Sequence, residues 1–448
     1  GKYFSEFNFG YNGSERFAKN ERFGFFPSFG LGWYTSKENF MKPLSGVLSK
    51  LKFKATYGLV GNDQIGSSDD RFFYISQVNL NNGAMGAPFG QEFGNYINGV
   101  SINRYANNQI TWEKAEMLNL GIEIGLIDRI EIQADYFTET RTNILMDRAQ
   151  VPSTMGLQAP TRANVGKASS NGFEVTLDYN QDFSNDLFIG ARANFSFADS
   201  KYELYEELDY TSAGLPWRSR IGLNLSQPFG YIAERLFIDE ADLANSPLQT
   251  FGEYMAGDIK YKDINGDGII DINDEVPIGY PTTPKIIYGF GMSSTYKNFD
   301  LSFFFQGSAQ SSFFIDAYNS SPFIDTYGGA IGNNALLTAW ANDYWSENNR
   351  NLYASWPRLS DQVIDNNNRN STWWLRDGTF LRLKSLEIGY SLNARFLKKV
   401  KLKNARIYLT GTNLLTISRF KIWDVEMGGN GLGYPIQKTT NIGINLNF

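Results

Sequence analysis

Residues 441–448 read Asn441-Ile442-Gly443-Ile444-Asn445-Leu446-Asn447-Phe448. Apolar side chains occupy 442, 444, 446 and 448; polar residues or glycine occupy the positions between. A strand turns successive side chains to opposite faces, so this segment has one apolar and one polar face. A soluble β-sandwich shows the same alternation. Two things decide between the fold classes: how often the pattern recurs, and what fills the polar phase.

The pattern recurs along the whole chain. Tyr3, Ser5, Phe7, Phe9 and Tyr11 share one face. From Phe23 to Trp33, Phe25, Phe29, Leu31 and Trp33 alternate with Gly24, Ser28, Gly30 and Gly32. Then come Leu51–Leu59, Leu118–Leu126, Ile130–Tyr136, Phe173–Tyr179, Ile189–Phe197, Tyr288–Met292, Leu301–Phe305, Leu386–Leu392 and Ile407–Leu409. With the terminal segment these make about twelve spanning strands. The second phase carries Glu131, Gln133 and Asp135 on one strand, Glu174, Thr176 and Asp178 on another, and Arg192, Asn194 and Ser196 on a third. That is too much charge for a dry sandwich core, and a water-facing lumen accommodates it. The expected fold is all-β: a transmembrane antiparallel β-barrel. A terminal Phe448 suits the closing strand of an outer-membrane barrel, where the insertion machinery reads it.

Bulk properties agree. The chain has 448 residues, too many for one ordinary soluble core. Aromatic residues make up 15%, with 35 Phe and 25 Tyr, and wide barrels use such residues as girdles at both membrane interfaces. Mean hydropathy is -0.34, and no run approaches the ~18–20 apolar residues of a spanning helix. The net charge of -6 argues against binding nucleic acid through phosphates. With no Cys and no His, thiolate chemistry, His-based triads and most zinc or iron sites are excluded. Gly1 leads directly into a strand with no signal peptide before it, so the expectation is the C-terminal portion of a longer barrel chain.

Connection lengths alternate. Tight turns join Leu126 to Ile130, Phe183 to Leu187 and Lys297 to Asp300, and a moderate link joins Asn393 to Asn404. Between them lie long stretches at 61–114, 141–168, 200–284, 307–378 and 417–437. Short periplasmic turns and long extracellular loops are the rule of outer-membrane barrels. With Phe448 in the periplasm, every tight turn falls on that side. Connections beyond ~15 residues are usually functional.

One motif carries recognisable chemistry, within the long loop 200–284. Asp263, Asn265 and Asp267 occupy positions one, three and five of a twelve-residue calcium loop. Gly268 permits the turn at position six, Ile269 offers its carbonyl at seven, Asp271 stands at nine and Asp274 at twelve. The flanks are not helical, so the expectation is a structural Ca2+ rather than a sensor. The plain alternative is an acidic surface turn that binds no ion.

Other candidates are weaker. Glu174 and Asp178 could mimic a glycosidase pair, but lumen lining accounts for them because such residues recur on every strand. Trp340, Trp345, Trp356, Trp373 and Trp374 cluster in one loop region; they are candidate sugar platforms, with loop packing as the alternative. Gly428-Gly429-Asn430-Gly431 lacks the strand-to-helix context and the Lys of a phosphate loop. Lys398, Lys399, Lys401 and Lys403 read as a solvated basic turn.

Several stretches resemble a known family. They are Asn20–Trp33 (NERFGFFPSFGLGW), Leu51–Asn62, Thr111–Lys114, Asn164–Gly166 with Asn171–Glu174, Gly257–Gly268, Pro281–Lys285 and Leu375–Lys384. Together, and in this order, they are similar to SusC/RagA-type TonB-dependent transporters of the Bacteroidetes outer membrane. The resemblance implies a barrel of about 22 strands with a plug inside it. It further implies a TonB box and a SusD-like surface lipoprotein as lid. Twelve strands here would leave roughly ten in a missing N-terminal part, together with the plug.

The expected function is TonB-energised import of oligomeric nutrients, either oligosaccharide or peptide, across the outer membrane. The work is transport rather than bond chemistry, so no catalytic residue is expected. Expected partners are the SusD-like lipoprotein, the TonB complex through the plug, and outer-membrane lipid; a dimer of transporter–lid pairs is a further expectation. The alternative is a barrel-anchored adhesion or structural protein that transports nothing. A soluble calcium-stabilised glycan hydrolase would need a dry core, which the charged phase argues against.

Overall fold

The structure, a computed structural model, describes residues 1–67, 70–184, 186–323, 336–392 and 402–447. Phe448 and the basic residues Lys398, Lys399 and Lys401 lie outside these. Twelve long strands dominate. They are β1 (Tyr3–Gly13), β2 (Phe23–Trp33), β3 (Leu48–Asn62), β4 (Glu113–Leu126), β5 (Ile130–Asp147) and β6 (Arg162–Ser184). Then follow β7 (Leu187–Leu204), β8 (Ile286–Tyr296), β9 (Phe299–Ala309), β10 (Phe380–Ser391), β11 (Asn404–Ser418) and β12 (Thr439–Asn447). Each predicted segment falls in one of them, except that Leu392 lies one residue beyond β10 and Phe448 lies outside the described residues. They form one 12-stranded antiparallel sheet in which spatial order is chain order.

The described residues fall into two compact units. The first comprises Gly1–Glu174, Ala198–Tyr210 and Ser219–Leu225. Its pairing register runs Tyr3–Trp33–Phe53–Ile122–Ala134 across β1 to β5. All but Ala134 are large and apolar, and Tyr3, Trp33 and Phe53 are exposed, as a lipid-facing row requires. Aromatic contacts mark both ends of this belt: Tyr11 stacks on Phe23 at 5.2 Å, and Trp33 lies 6.2 Å from Phe53. The opposite phase is ionic. Lys50 reaches Glu123 at 2.8 Å, and Lys54 reaches Glu123 and Asp135 at 3.3 and 3.5 Å.

The second unit comprises Val175–Phe197, Thr211–Arg218 and Ser226–Phe448. Its outward row runs Leu187–Tyr296–Phe299–Tyr390–Ile407–Ile444 across β7 to β12. On the other phase Arg406 binds both Asp300 and Glu387, and Asp178 pairs with Arg192 at 3.2 Å.

Two features depart from the expected irregular loops. In the first unit, Gln77–Phe89 and Asn95–Arg104 form an antiparallel hairpin with several register shifts. A small core of Phe17, Phe26, Ile65, Phe73, Ile110 and Trp112 lies in the same unit. In the second unit, the long connections build a larger core of their own. It draws on Tyr231, Ile259, Tyr261, Trp340, Trp356, Trp374, Phe420 and other residues. Short strand pairs frame it: Ala233–Leu236 with Ile259–Tyr261, Leu248–Gln249 with Ile269–Ile270, and Ser312–Phe314 with Leu375–Asp377.

Candidate functional site

The calcium-type motif lies in this second loop core. It leaves the Ile259–Tyr261 strand and returns as Ile269–Ile270, which pairs in parallel with Leu248–Gln249. Gly266 and Gly268 have φ of 77° and 83°, the left-handed conformation that favours glycine. Asp263 accepts from the Gly266 and Gly268 amides at 2.7 and 2.8 Å. Asn265 accepts from the Asp267 amide at 3.0 Å, and Asp267 from the Ile269 amide at 2.8 Å. These three donors therefore share one turn. Asp271 caps the following helical turn by accepting from Asn273 N at 2.7 Å. Asp274 is fully buried and accepts from the Ile264 and Asp271 amides at 2.7 and 2.9 Å.

The donor set consists of hard oxygens, the kind calcium takes. Its side chains are turned onto the loop's own amides. Among the described residues no three acidic side chains gather as a metal-holding group. Two contacts brace the exit of the loop: Trp217 Nε1 donates to Asn273 O at 2.7 Å, and Arg218 pairs with Glu275 at 2.5 Å.

The tryptophans occupy the interior of the same core. Trp340, Trp345, Trp356 and Trp374 are all buried. Trp356 lies 5.0 Å from Trp340 and 4.9 Å from Trp374, ring centre to ring centre. This corrects the expectation of a sugar platform for these four: Trp340, Trp356 and Trp374 pack on one another, Trp345 packs against Gly257, and none offers an open face. Trp373 is partly exposed and packs against the cluster from outside. Gly429 serves the same packing. A Cβ there would come within 2.0 Å of Phe314 O, so only glycine lets the two backbones approach.

A buried polar network holds these connections together, and periodicity gave no sign of it. Gln249 Nε2 donates to Asn366 Oδ1 at 2.6 Å, and Gln249 Oε1 accepts from Tyr261 N at 2.7 Å. Asn367 Oδ1 accepts from Ile259 N at 2.9 Å, while its Nδ2 donates to Asp258 at 2.8 Å. Trp374 Nε1 donates to Asn367 O at 2.7 Å. Asp258 is fully buried beside Arg358, at 2.8 Å. Burial pushes its carboxyl up, and the Arg358 guanidinium opposes that rise. Arg382 of β10 is almost fully buried and pairs with Asp424 and Glu426 at 2.5 and 2.7 Å, tying the 419–438 connection to the sheet. The only sequence signal for this core was the density of Trp and Asn in 340–374.

In the first unit Asp70 plays the corresponding part. It accepts from Arg104 at 3.0 Å, Arg162 at 2.6 Å and Ser67 N at 2.8 Å. Burial alone would raise its carboxyl, but the Ser67 donors and the two guanidiniums outweigh that and hold it well below the usual range.

Comparison with known proteins gives the kinship. No family model matches the chain. It is 28% identical to "TonB-dependent receptor P3" of Formosa agariphila, over 100% of the chain and 44% of the relative. It is 27% identical to "TonB-dependent receptor SusC" of Bacteroides thetaiotaomicron, over 100% of the chain and 42% of the relative. The chain thus spans less than half the length of the curated relatives it matches. Among solved structures, the RagAB peptide importer in its open-open state superposes with a TM-score of 0.70 at 23% identity. That match covers 100% of this chain and 45% of the other. The closed-closed state gives 0.69 at 24%, over 100% and 46%. These structural likenesses establish the fold. The chain is accordingly similar to TonB-dependent receptors of the SusC/RagA type, over a stretch of their outer-membrane β-barrel.

Proposed function

We propose that this chain is the barrel portion of a TonB-energised importer of oligomeric nutrients, oligosaccharide or peptide, gated by a SusD-like surface lipoprotein. The carrying observation is the end-to-end likeness to TonB-dependent receptors. The folded cores on the long-connection side support it, because they supply a shaped surface for a lid and a cargo. In this reading the inner charged phase keeps the lumen wet, and TonB acts through a plug that these residues do not include. Transport, with no bond chemistry, is the whole activity. The test is uptake of labelled oligosaccharides and peptides by cells with the receptor gene intact, deleted, or intact without TonB. Uptake lost in both mutants is expected. Surface adhesion lost on deletion, with uptake of every oligomer unchanged, would instead establish the adhesion reading.

We further propose that Asp263, Asn265, Asp267, the Ile269 carbonyl, Asp271 and Asp274 hold one structural calcium. The order of donor types in the loop and its two left-handed glycines support this. Bound calcium would replace repulsion among four Asp residues with fixed coordination. Calorimetry on the receptor should show one saturable site, of the extracellular kind at ~10⁻⁴–10⁻³ M or tighter, that Asp267→Ala removes. An unchanged isotherm in that variant would reject the site.

A further inference from the structure

The first unit carries a cleft that none of the preceding roles uses. It lies where β5 ends, β6 begins and β7 runs out into the segment that follows it. Its volume is about 560 Å³, within the ordinary range for a ligand site. Ile144, Leu145 and Met146 supply apolar lining. Gly166 keeps that surface close: a Cβ there would come within 2.3 Å of Met146 Cε and 3.0 Å of Ile144 Cβ.

The polar groups around it are mostly committed. Arg162 is held by Asp70 at 2.6 Å and by Asp147 at 2.9 Å. Glu206 takes Arg148 at 2.9 Å and is 13% exposed. Asp147 differs. Its side chain is 60% exposed, and only Oδ1 meets Arg162. Among the described residues its Oδ2 has no protein donor, and neither do the hydroxyls of Tyr202 and Tyr205 form a protein hydrogen bond. The uncommitted polar groups of the cleft are therefore an acidic oxygen and two phenols, in a lining that also holds an aliphatic surface.

This chemistry discriminates between cargo classes. A sugar ring binds through an open aromatic face. Here Tyr202 and Tyr205 meet edge to face at 4.8 Å, and the Arg220 guanidinium lies 5.9 Å from the Tyr205 ring centre. A peptide needs an aliphatic surface for one side chain and an acceptor for a basic one, and the cleft supplies both.

We propose that this cleft binds a short peptide segment, with a Lys or Arg side chain on Asp147 and an adjacent apolar side chain on Ile144 and Met146. This rests on the import reading and names the cargo class for it. The chain has no Cys, so Ala149→Cys places a benzophenone at the cleft without competition from other thiols in this stretch. The probe is a fluorescent hexapeptide alternating Lys and Leu, with maltohexaose as the sugar arm, on the full-length receptor. Photocapture of the peptide is expected, with unlabelled peptide competing and maltohexaose not. Asp147→Lys should weaken peptide binding roughly tenfold or more through like-charge repulsion, with Asp147→Asn intermediate. Capture that Asp147→Lys leaves unchanged, or that maltohexaose alone displaces, would overturn the proposal. Cell uptake separates the two claims. Peptide uptake indifferent to Asp147→Lys sinks the cleft and keeps the importer. Capture at the cleft with no uptake of any oligomer keeps the cleft and sinks the importer.

Discussion

Asp242 is held by a fork of charge. Arg235 binds both its oxygens, at 2.5 and 2.9 Å, Lys260 adds a contact at 3.1 Å, and the Ile238 amide donates at 3.0 Å. Arg235 is the main cause of a carboxyl held well below the usual aspartate range; burial opposes it, and the amide and Lys260 assist. The folded pKa is thus depressed relative to the unfolded value of ~3.9. The stabilisation it gives is fully present above that value and is lost as pH falls through the folded one. Exchange protection of the Ala233–Leu236 and Ile259–Tyr261 pair should therefore decline below about pH 4, after correction for intrinsic rates. Asp242→Asn should start lower and lack that decline. An identical acid profile in the variant would show that another group sets the pH dependence.

At the scale of elements, the twelve strands were legible because lipid on one side and water on the other enforce a strict period of two. β12 gives the sharpest test. Ile442, Ile444 and Leu446 share the register of the outward row, and Asn441, Asn445 and Asn447 share the other phase. Spin labels placed singly along 441–447 should alternate between lipid-soluble and water-soluble quenchers, and uniform accessibility would reject a membrane strand. The other elements were not legible, for a physical reason. The Gln77–Arg104 hairpin breaks its own alternation with register shifts at Gln77, Asn79 and Asn82. The strands framing the loop core are two to four residues long, too short to show any period. Their order comes from contacts far apart in sequence, such as Gln249 with Asn366 and Asp258 with Asn367. The tryptophans were visible, but their spacing does not say whether an indole faces solvent or a neighbour. The turn at 263–268 could be read because the residues that form it are neighbours in sequence.

At the scale of the whole molecule, two kinds of stability coexist in one chain. The strands hold their backbone groups in long hydrogen-bonded ladders and turn their apolar side to lipid, where opening a ladder costs several kcal/mol for each exposed group. The loop core of the second unit resembles a small soluble domain instead, with buried indoles, a polar network and short strand pairs. Such a core opens as its own cooperative unit. Peptide-resolved hydrogen exchange on the receptor in bilayers, at rising urea, should show segments 229–277 and 336–378 losing protection together, before β8, β9 and β10. Trp374→Ala removes a side chain that is 2% exposed and leaves Asn367 O without its donor. It should lower the loop-core step by ~3–5 kcal/mol and leave the strand step in place. Loss of loops and strands in a single step, or an equal shift of both by Trp374→Ala, would show one cooperative body. The distinction bears on mechanism. If the cores open independently, the loop face can rearrange while the strands stay paired.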